Sequence, residues 1–166
     1  MRRSKIISLL AAGLITALTV VPAQARLGET LDQLKARLGK PEQQDPPRKD
    51  VALWLFEVDD GQLIYNVNFD AKGRSIAEGL RPLKRAVFTK DTAQDFIQGQ
   101  IAPFRDSKTL RTVKPGEAFQ FAGRSFTCGD GEITLVDDAN GVMVVWQTKG
   151  VPSVMAVSAA MVKQTH

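Results

Sequence analysis

Two hydrophobic periods divide this chain. Leu31, Leu34 and Leu38 recur every three or four residues, the spacing of a helix with one apolar face, whereas from Val51 onward apolar residues recur at alternate positions, the spacing of a strand. Thr30, with Gln33 three residues on, forms a capping box, and Gly39 followed by Pro41 ends the turn of chain it opens, which predicts a short helix. Gln43 to Asp50 has turn chemistry without periodicity and reads as an exposed, mobile loop. Leu53 to Val58 reads as a largely buried strand, Asp59-Asp60-Gly61 as a turn, and Leu63, Tyr65, Val67 and Phe69 as one face of a second strand. Asp70 to Gly73 turns the chain again into a shorter third strand, Arg74 to Leu80.

The pattern then restarts. Thr89 is a second N-cap with Asp91 in the first turn, and Ala93, Phe96, Ile97, Gln100, Ile101 and Phe104 follow helical spacing, although Gly99 and Pro103 predict an early stop. After an irregular stretch, Phe119 to Phe121, Ser125 to Cys128, Glu132 to Val136 and Val142 to Gln147 alternate and are separated by glycine turns, which predicts a meander. Ser153 to Val157 adds an edge strand, and the tail to His166 is open between strand, short helix and disorder. The expected fold is α+β: two tandem units of a helix plus antiparallel hairpin or meander, α-βββ-α-ββββ, with both helices on one face of the sheet. The halves run over about residues 26–87 and 88–166 of a single domain.

The first 25 residues read differently. Arg2, Arg3 and Lys5 precede an apolar run from Ile6 to Val21, and Pro22 leads into the small-residue site Ala23-Gln24-Ala25. This is the pattern of a cleavable signal peptide, cut between Ala25 and Arg26. The run falls short of the roughly 20 apolar residues of a spanning helix, and no lipid-bearing cysteine follows it. The expectation is an exported chain without a membrane span after cleavage, in the periplasm or the medium.

Removing that segment changes the charge. The whole chain has 22 basic and 18 acidic residues, but three of the basic ones lie in the signal, so the remainder is close to neutral. A domain without a basic excess lacks the first requirement for nucleic-acid binding. One cysteine, Cys128, excludes an internal disulfide. It lies in an alternating apolar stretch and reads as a buried, inert thiol.

Gly28-Glu29-Thr30, Leu34, Leu38-Gly39-Lys40-Pro41 and Trp54-Leu55-Phe56 together resemble the opening of the SmpA/OmlA (BamE-like) outer-membrane-assembly domain: a glycine-led capped helix ending in Leu-Gly-x-Pro, then a Trp-containing strand. The repeated helix-plus-hairpin plan is also similar to the β-lactamase-inhibitor-protein-like fold. Members of both groups bind other proteins, so the resemblance implies a binding role for roughly residues 26–70. It carries no cofactor and no site residue onto this chain, and the lipid-bearing cysteine of the lipoproteins is missing.

Candidate chemistry is sparse. The only histidine is the terminal His166, which argues against Ser-His-Asp and Cys-His catalysis. One histidine and one cysteine cannot build a structural zinc site. Asp137-Asp138-Ala139-Asn140-Gly141 lacks the alternating ligands of a calcium loop and reads as a hairpin turn. Glu57 and Glu132, inside predicted strands, have the best claim to carboxylate chemistry, against a plain reading as solvent-facing strand positions. No catalytic residue, metal or cofactor is expected. The sequence instead points to an adaptor that binds another envelope or secreted protein through its sheet face or the loop around residues 42–50. Trp54, Tyr65, Trp146, Asp59 and Asp60 are the candidate contact residues. The rivals are a secreted inhibitor of a hydrolase, presenting Asp59-Asp60-Gly61, and a small carboxylate-dependent hydrolase.

Overall fold

The computed structural model describes residues 26–44, 50–58, 61–83 and 86–164. The signal segment, most of the loop around Asp45 to Lys49, and the Asp59-Asp60 turn lie outside the described residues.

Helix α1 (Leu31–Leu38) forms as its sequence demands. Thr30 accepts the Gln33 amide, the Gln33 side chain accepts the Thr30 amide in return, and Gly39 at φ 82° closes the helix with an N–H donated to the Lys35 carbonyl. Strands β1 (Gln43–Gln44), β2 (Val51–Val58), β3 (Gly61–Phe69) and β4 (Ser75–Leu83) follow. Helix α2 (Lys90–Ile101) is capped by Thr89 and passes into a 3-10 turn over Ala102–Phe104. Gly99 does not end the helix, because it is buried within it, and Pro103 falls at the start of the 3-10 turn, where its missing N–H leaves no bond unmade. Strands β5 (Arg111–Val113), β6 (Ala118–Phe121), β7 (Arg124–Thr127), β8 (Glu132–Asp137), β9 (Val142–Gln147) and β10 (Ser153–Ser158) complete the sheets, and α3 (Ala159–Gln164) ends the described chain.

One antiparallel sheet of eight strands runs β1-β2-β3-β4-β10-β9-β8-β5, and β6 and β7 pair separately. The molecule is thus mixed α and β around a large antiparallel sheet with three helices. Three expectations need correction. The last strand, β10, is not an edge: it lies between β4 and β9, with Ala156 opposite both Glu78 and Val144. The third strand is as long as the second, because Pro82 and Leu83 still pair with Leu63 and Gln62. The expected meander is broken, since the β6–β7 hairpin leaves the sheet and a short β5, within the stretch read as irregular, takes the place beside β8. Helices α1 and α2 share one face as expected, and α3, in the tail the sequence leaves open, packs on the other.

Side-chain alternation sorts the core into two layers. On one face, Leu34 of α1 and Phe96 and Ile97 of α2 pack on Ala52, Trp54, Leu63, Tyr65, Val67, Val144, Val154 and Ala156. On the other, Phe119 and Phe121 of the hairpin and Val162 of α3 cover Ala77, Val113, Val136, Met143 and Val157. Strand β9 therefore has apolar residues on both faces because both are covered. Trp54 ties two levels of structure together. Its indole N–H donates to the Gly39 carbonyl at 2.9 Å, satisfying a group left over at the end of α1, while its ring meets Tyr65 edge to face with centroids 6.0 Å apart. Replacing it by alanine removes both, so Trp54→Ala is expected to lower unfolding stability by about 3–5 kcal/mol, measured by chemical denaturation. Trp54→Phe, which keeps the bulk and loses only the N–H, should cost clearly less.

Candidate functional site

Ile76, Glu78 and Leu80 share one parity on β4, the parity that faces α1 and α2, so a glutamate is carried into the apolar layer. Glu78 has no exposed surface. A carboxyl group taken from water needs donors, and three reach it. The Tyr65 hydroxyl donates to Oε2 from the neighbouring β3, the Gln100 side-chain amide donates to the same oxygen at 2.9 Å from α2, and the Ser75 hydroxyl donates to Oε1 at 2.7 Å. The outer ends of the last two are also used. Ser75 Oγ accepts the Gly28 N–H at 2.9 Å, and Gln100 Oε1 accepts the Leu27 N–H at 3.1 Å. Residues 26–30 are thereby strapped across the start of β4, an arrangement completed by Ser75 N donating to the Glu29 carbonyl and by pairing of Thr30 with Arg74.

Burial raises the Glu78 pKa above its ordinary value; the hydrogen bonds from Tyr65, Ser75 and Gln100 and the positive charge of Arg37 oppose this without reversing it. Burial also pushes the Tyr65 phenol well up, with the Glu78 charge adding to it. Arg37 of α1 is held in place by an ion pair with Glu29.

Ser75 and Gln100 also line a cleft of about 300 Å³, bounded by the strap, the end of α2 with Phe104, the turn from Asn140 to Val142, and Ser158 at the end of β10. Glu78 lies behind those two side chains and has no route to a ligand; its part is to hold the wall. A second buried carboxylate lies behind Asn140, which lines the cleft. Asp137 is buried, yet hydrogen bonds from Thr109 at 2.6 Å, from Asn140 and from Ser107 outweigh that burial and lower its pKa to about 2. It latches the 107–109 segment to the turn between β8 and β9.

A second region lies on the opposite face. Across β2, β3, β4 and β10 the outward residues Leu53, Asn66, Gly79 and Met155 stand in one row, with Leu55, Ile64 and Arg81 in the next. Leu53, Leu55, Ile64 and Met155 belong to neither core layer, and Met155 is 43 % exposed. The Asn66 side chain lies across Gly79, where a Cβ would come within 3.1 Å of its Oδ1.

No protein-family model matches this chain. No curated protein matches it either. Among solved structures it is similar to a cysteine-rich secretory protein from Staphylococcus aureus, at 13 % identity and a TM-score of 0.45, over 82 % of this chain and 44 % of that one. It is also similar to a DUF4309 family protein from Bacillus subtilis, at 16 % identity and 0.38 over 78 % of each chain, and to an extracellular protein containing an SCP domain from Bacillus anthracis, at 12 % and 0.42 over 99 % and 52 %. The chain thus spans less than half the length of the first of these, and likenesses at such scores carry no functional argument.

The sequence-level candidates fare unevenly. Trp54 and Tyr65 are 2 % and 0 % exposed, so they are core residues and present no contact surface: the parity that places them together on one face is the parity covered by the helices. Trp146 is half-buried and packs against the same layer. Asp59 and Asp60, like Ala25, lie outside the described residues, and Arg26 is exposed at the cleft. Glu57 is exposed and accepts from Gln62, and Glu132 accepts the Gly129 N–H at 2.6 Å within a turn; neither lines the cleft. Cys128 is a buried free thiol. Among the described residues no group of three or more His, Cys, Asp or Glu is placed to hold a metal, and no helix is long and apolar enough to cross a membrane. Glu78 was missed, although the signal existed: it shares its parity with Ile76 and Leu80, and Gln100 falls three and four residues after Ile97 and Phe96 on the buried stripe of α2.

Both carboxyls give pH signatures of opposite sign. A raised folded pKa means the native state binds the proton more tightly than the unfolded chain. Glu78 therefore removes stability as pH rises from its ordinary value of 4.5 through the higher native one. Urea unfolding at pH 5 and pH 8 should show Glu78→Gln flattening this loss. Asp137 contributes stability that is present above 3.8 and is lost as pH falls through about 2. Asp137→Asn should flatten that acid limb and leave the neutral one unchanged.

Proposed function

We propose that the chain is exported, cut before Arg26, and acts as a protein-binding module that docks another envelope or secreted protein on the outward face of β2, β3 and β4. The observation that carries this reading is the outward set of Leu53 and Met155 in one row and Leu55 and Ile64 in the next, which belongs to neither core layer; Met155 is exposed, Leu53 and Leu55 are half-buried and Ile64 is buried between them. Apolar side chains left outside the core on a sheet face are the kind of residue that interaction sites use.

Strand order supports the tandem reading. The sequence of neighbours β1-β2-β3-β4 is mirrored by β5-β8-β9-β10 about the β4–β10 seam. In the second unit the hairpin of β6 and β7, inserted between edge strand β5 and β8, folds over the sheet. In the first unit only residues 45–50 separate edge strand β1 from β2. That is too few for an equivalent hairpin, which supports reading the outward face of the first unit as the docking surface. The hydrolase rival gains no such support, since Glu57 and Glu132 lie away from the cleft and Glu78 is sealed behind it, and the inhibitor rival rests on Asp59 and Asp60, which lie outside the described residues.

Two results are expected. Sequencing of the exported protein should begin at Arg26. Affinity capture from the host's envelope and culture medium should retain one protein stoichiometrically, and Leu55→Glu with Met155→Glu, both at partly exposed positions, should preserve the fold by circular dichroism and lose that protein. Retention undiminished in the double variant would remove the outward face from the reading.

A further inference from the structure

The cleft beside the strap lies on the helix side of the sheet and stands independently of the docking face. Four stretches far apart in sequence converge on it: the strap, the start of β4, the end of α2, and the turns at β9 and β10. Its charge is one-sided. Arg26 and Arg74 both line it, and the only acid that does among the described residues, Asp70, is committed to its own turn, where Oδ1 accepts the Lys72 and Arg74 N–H groups at 2.8 and 2.9 Å. Arg74 spends one N–H on the Gly28 carbonyl at 3.0 Å, which steers the guanidinium across the strap; its fork carries five donors. The remaining wall is apolar, formed by Leu27, Ile76, Phe104 and Val142. Ser75 and Gln100, behind these, cannot swing away, because each is bonded on one side to the strap and on the other to Glu78.

We propose that this cleft is a binding site for a small organic carboxylate with an apolar body. Guanidinium groups pair with carboxylates in a two-pronged geometry, the apolar wall receives the body of the ligand, and about 300 Å³ is at the small end of ligand pockets. The fixed wall means that the site exists before the ligand arrives, so binding does not have to order it.

The test is titration of the exported, processed protein, labelled with nitrogen-15, with 4-phenylbutyrate. 4-Phenylbutylamine serves as a probe of similar shape and opposite charge, and inorganic phosphate as an anion without the apolar body. Saturable amide shifts centred on Gly28 and Gly141 are expected with phenylbutyrate alone. Arg74→Gln should weaken binding about tenfold or more, with partial recovery in Arg74→Lys. Arg26→Gln, at an exposed position outside the sheet, should weaken it without touching the fold, so the test survives if Arg74 variants misfold. Absence of saturation, equal response to the amine, phosphate binding as tightly, shifts confined to the Leu53–Met155 row, or unchanged affinity in the Arg26 variant would each overturn the assignment.

Discussion

A carboxyl group without exposed surface, Glu78 on β4, sets the constraint to which much of this fold answers. Apolar packing is tolerant of small rotations, but a buried carboxyl must meet donors at short range and good angle, and losing one costs the desolvation of the group left behind. Its donors come from separate pieces of chain. Tyr65 belongs to β3, Gln100 to α2 and Ser75 to the entry of β4, and the last two also fasten Leu27 and Gly28. Satisfying one side chain therefore fixes where α2 crosses the sheet and where the strap lies. Three edge-to-face contacts of Tyr65, with Trp54, Phe56 and Phe96, surround its ring with apolar bulk while its hydroxyl serves Glu78.

The two faces of the sheet are covered by different means. Helices α1 and α2 close one face along its length, whereas the hairpin of β6 and β7, with Phe119 stacked on Phe126, and α3 close only part of the other. The contrast follows from chain length between strands. Where the chain between an edge strand and its neighbour is long, as between β5 and β8, it folds back as a hairpin over the sheet. The seam between β4 and β10 is the place where the two kinds of cover meet, since Ala77 and Val157 there face the hairpin side while Glu78 and Ala156 face the helices.

Much of this was legible locally. Capping boxes, glycine turns and two-residue alternation are short-range signals, and Thr30, Thr89, Gly39 and the parity of Leu63, Tyr65, Val67 and Phe69 led to elements in the right places. What failed was non-local. Alternation says that Trp54 and Tyr65 share a face but not that helices cover that face, so aromatic side chains expected at a surface are core. Ser153 to Ser158 has no periodicity that distinguishes a central strand from an edge one, because its place is set by pairing with β4, some 75 residues earlier in the chain. The separation of β6 and β7 from the sheet was equally hidden, since a hairpin has the same alternation in or out of it. Glu78 and Gln100 were readable in principle, each in phase with apolar neighbours, but a polar residue on a buried stripe becomes meaningful only when its counterpart is known to stand opposite.

Strand β4 joins the two regions without mixing them. Successive side chains point to opposite faces, so Glu78 faces the helices while Gly79 opens onto the outward row, and the register shift at Asn68 and Phe69 lets Ser75, opposite Phe69, meet Glu78 and build the wall of the cleft. There the missing side chain admits Asn66 across the strand. A wall residue tethered at both ends and a glycine in close contact are both intolerant of change, for different reasons: one would leave buried polar groups unpaired, the other would force a neighbouring side chain aside. Because β4 also pairs with β10, displacement of this strand would disturb the cleft, the outward row and that pairing at once. The buried carboxyl makes that displacement costly, since moving β4 relative to β3 or α2 breaks directional bonds rather than sliding one apolar surface over another.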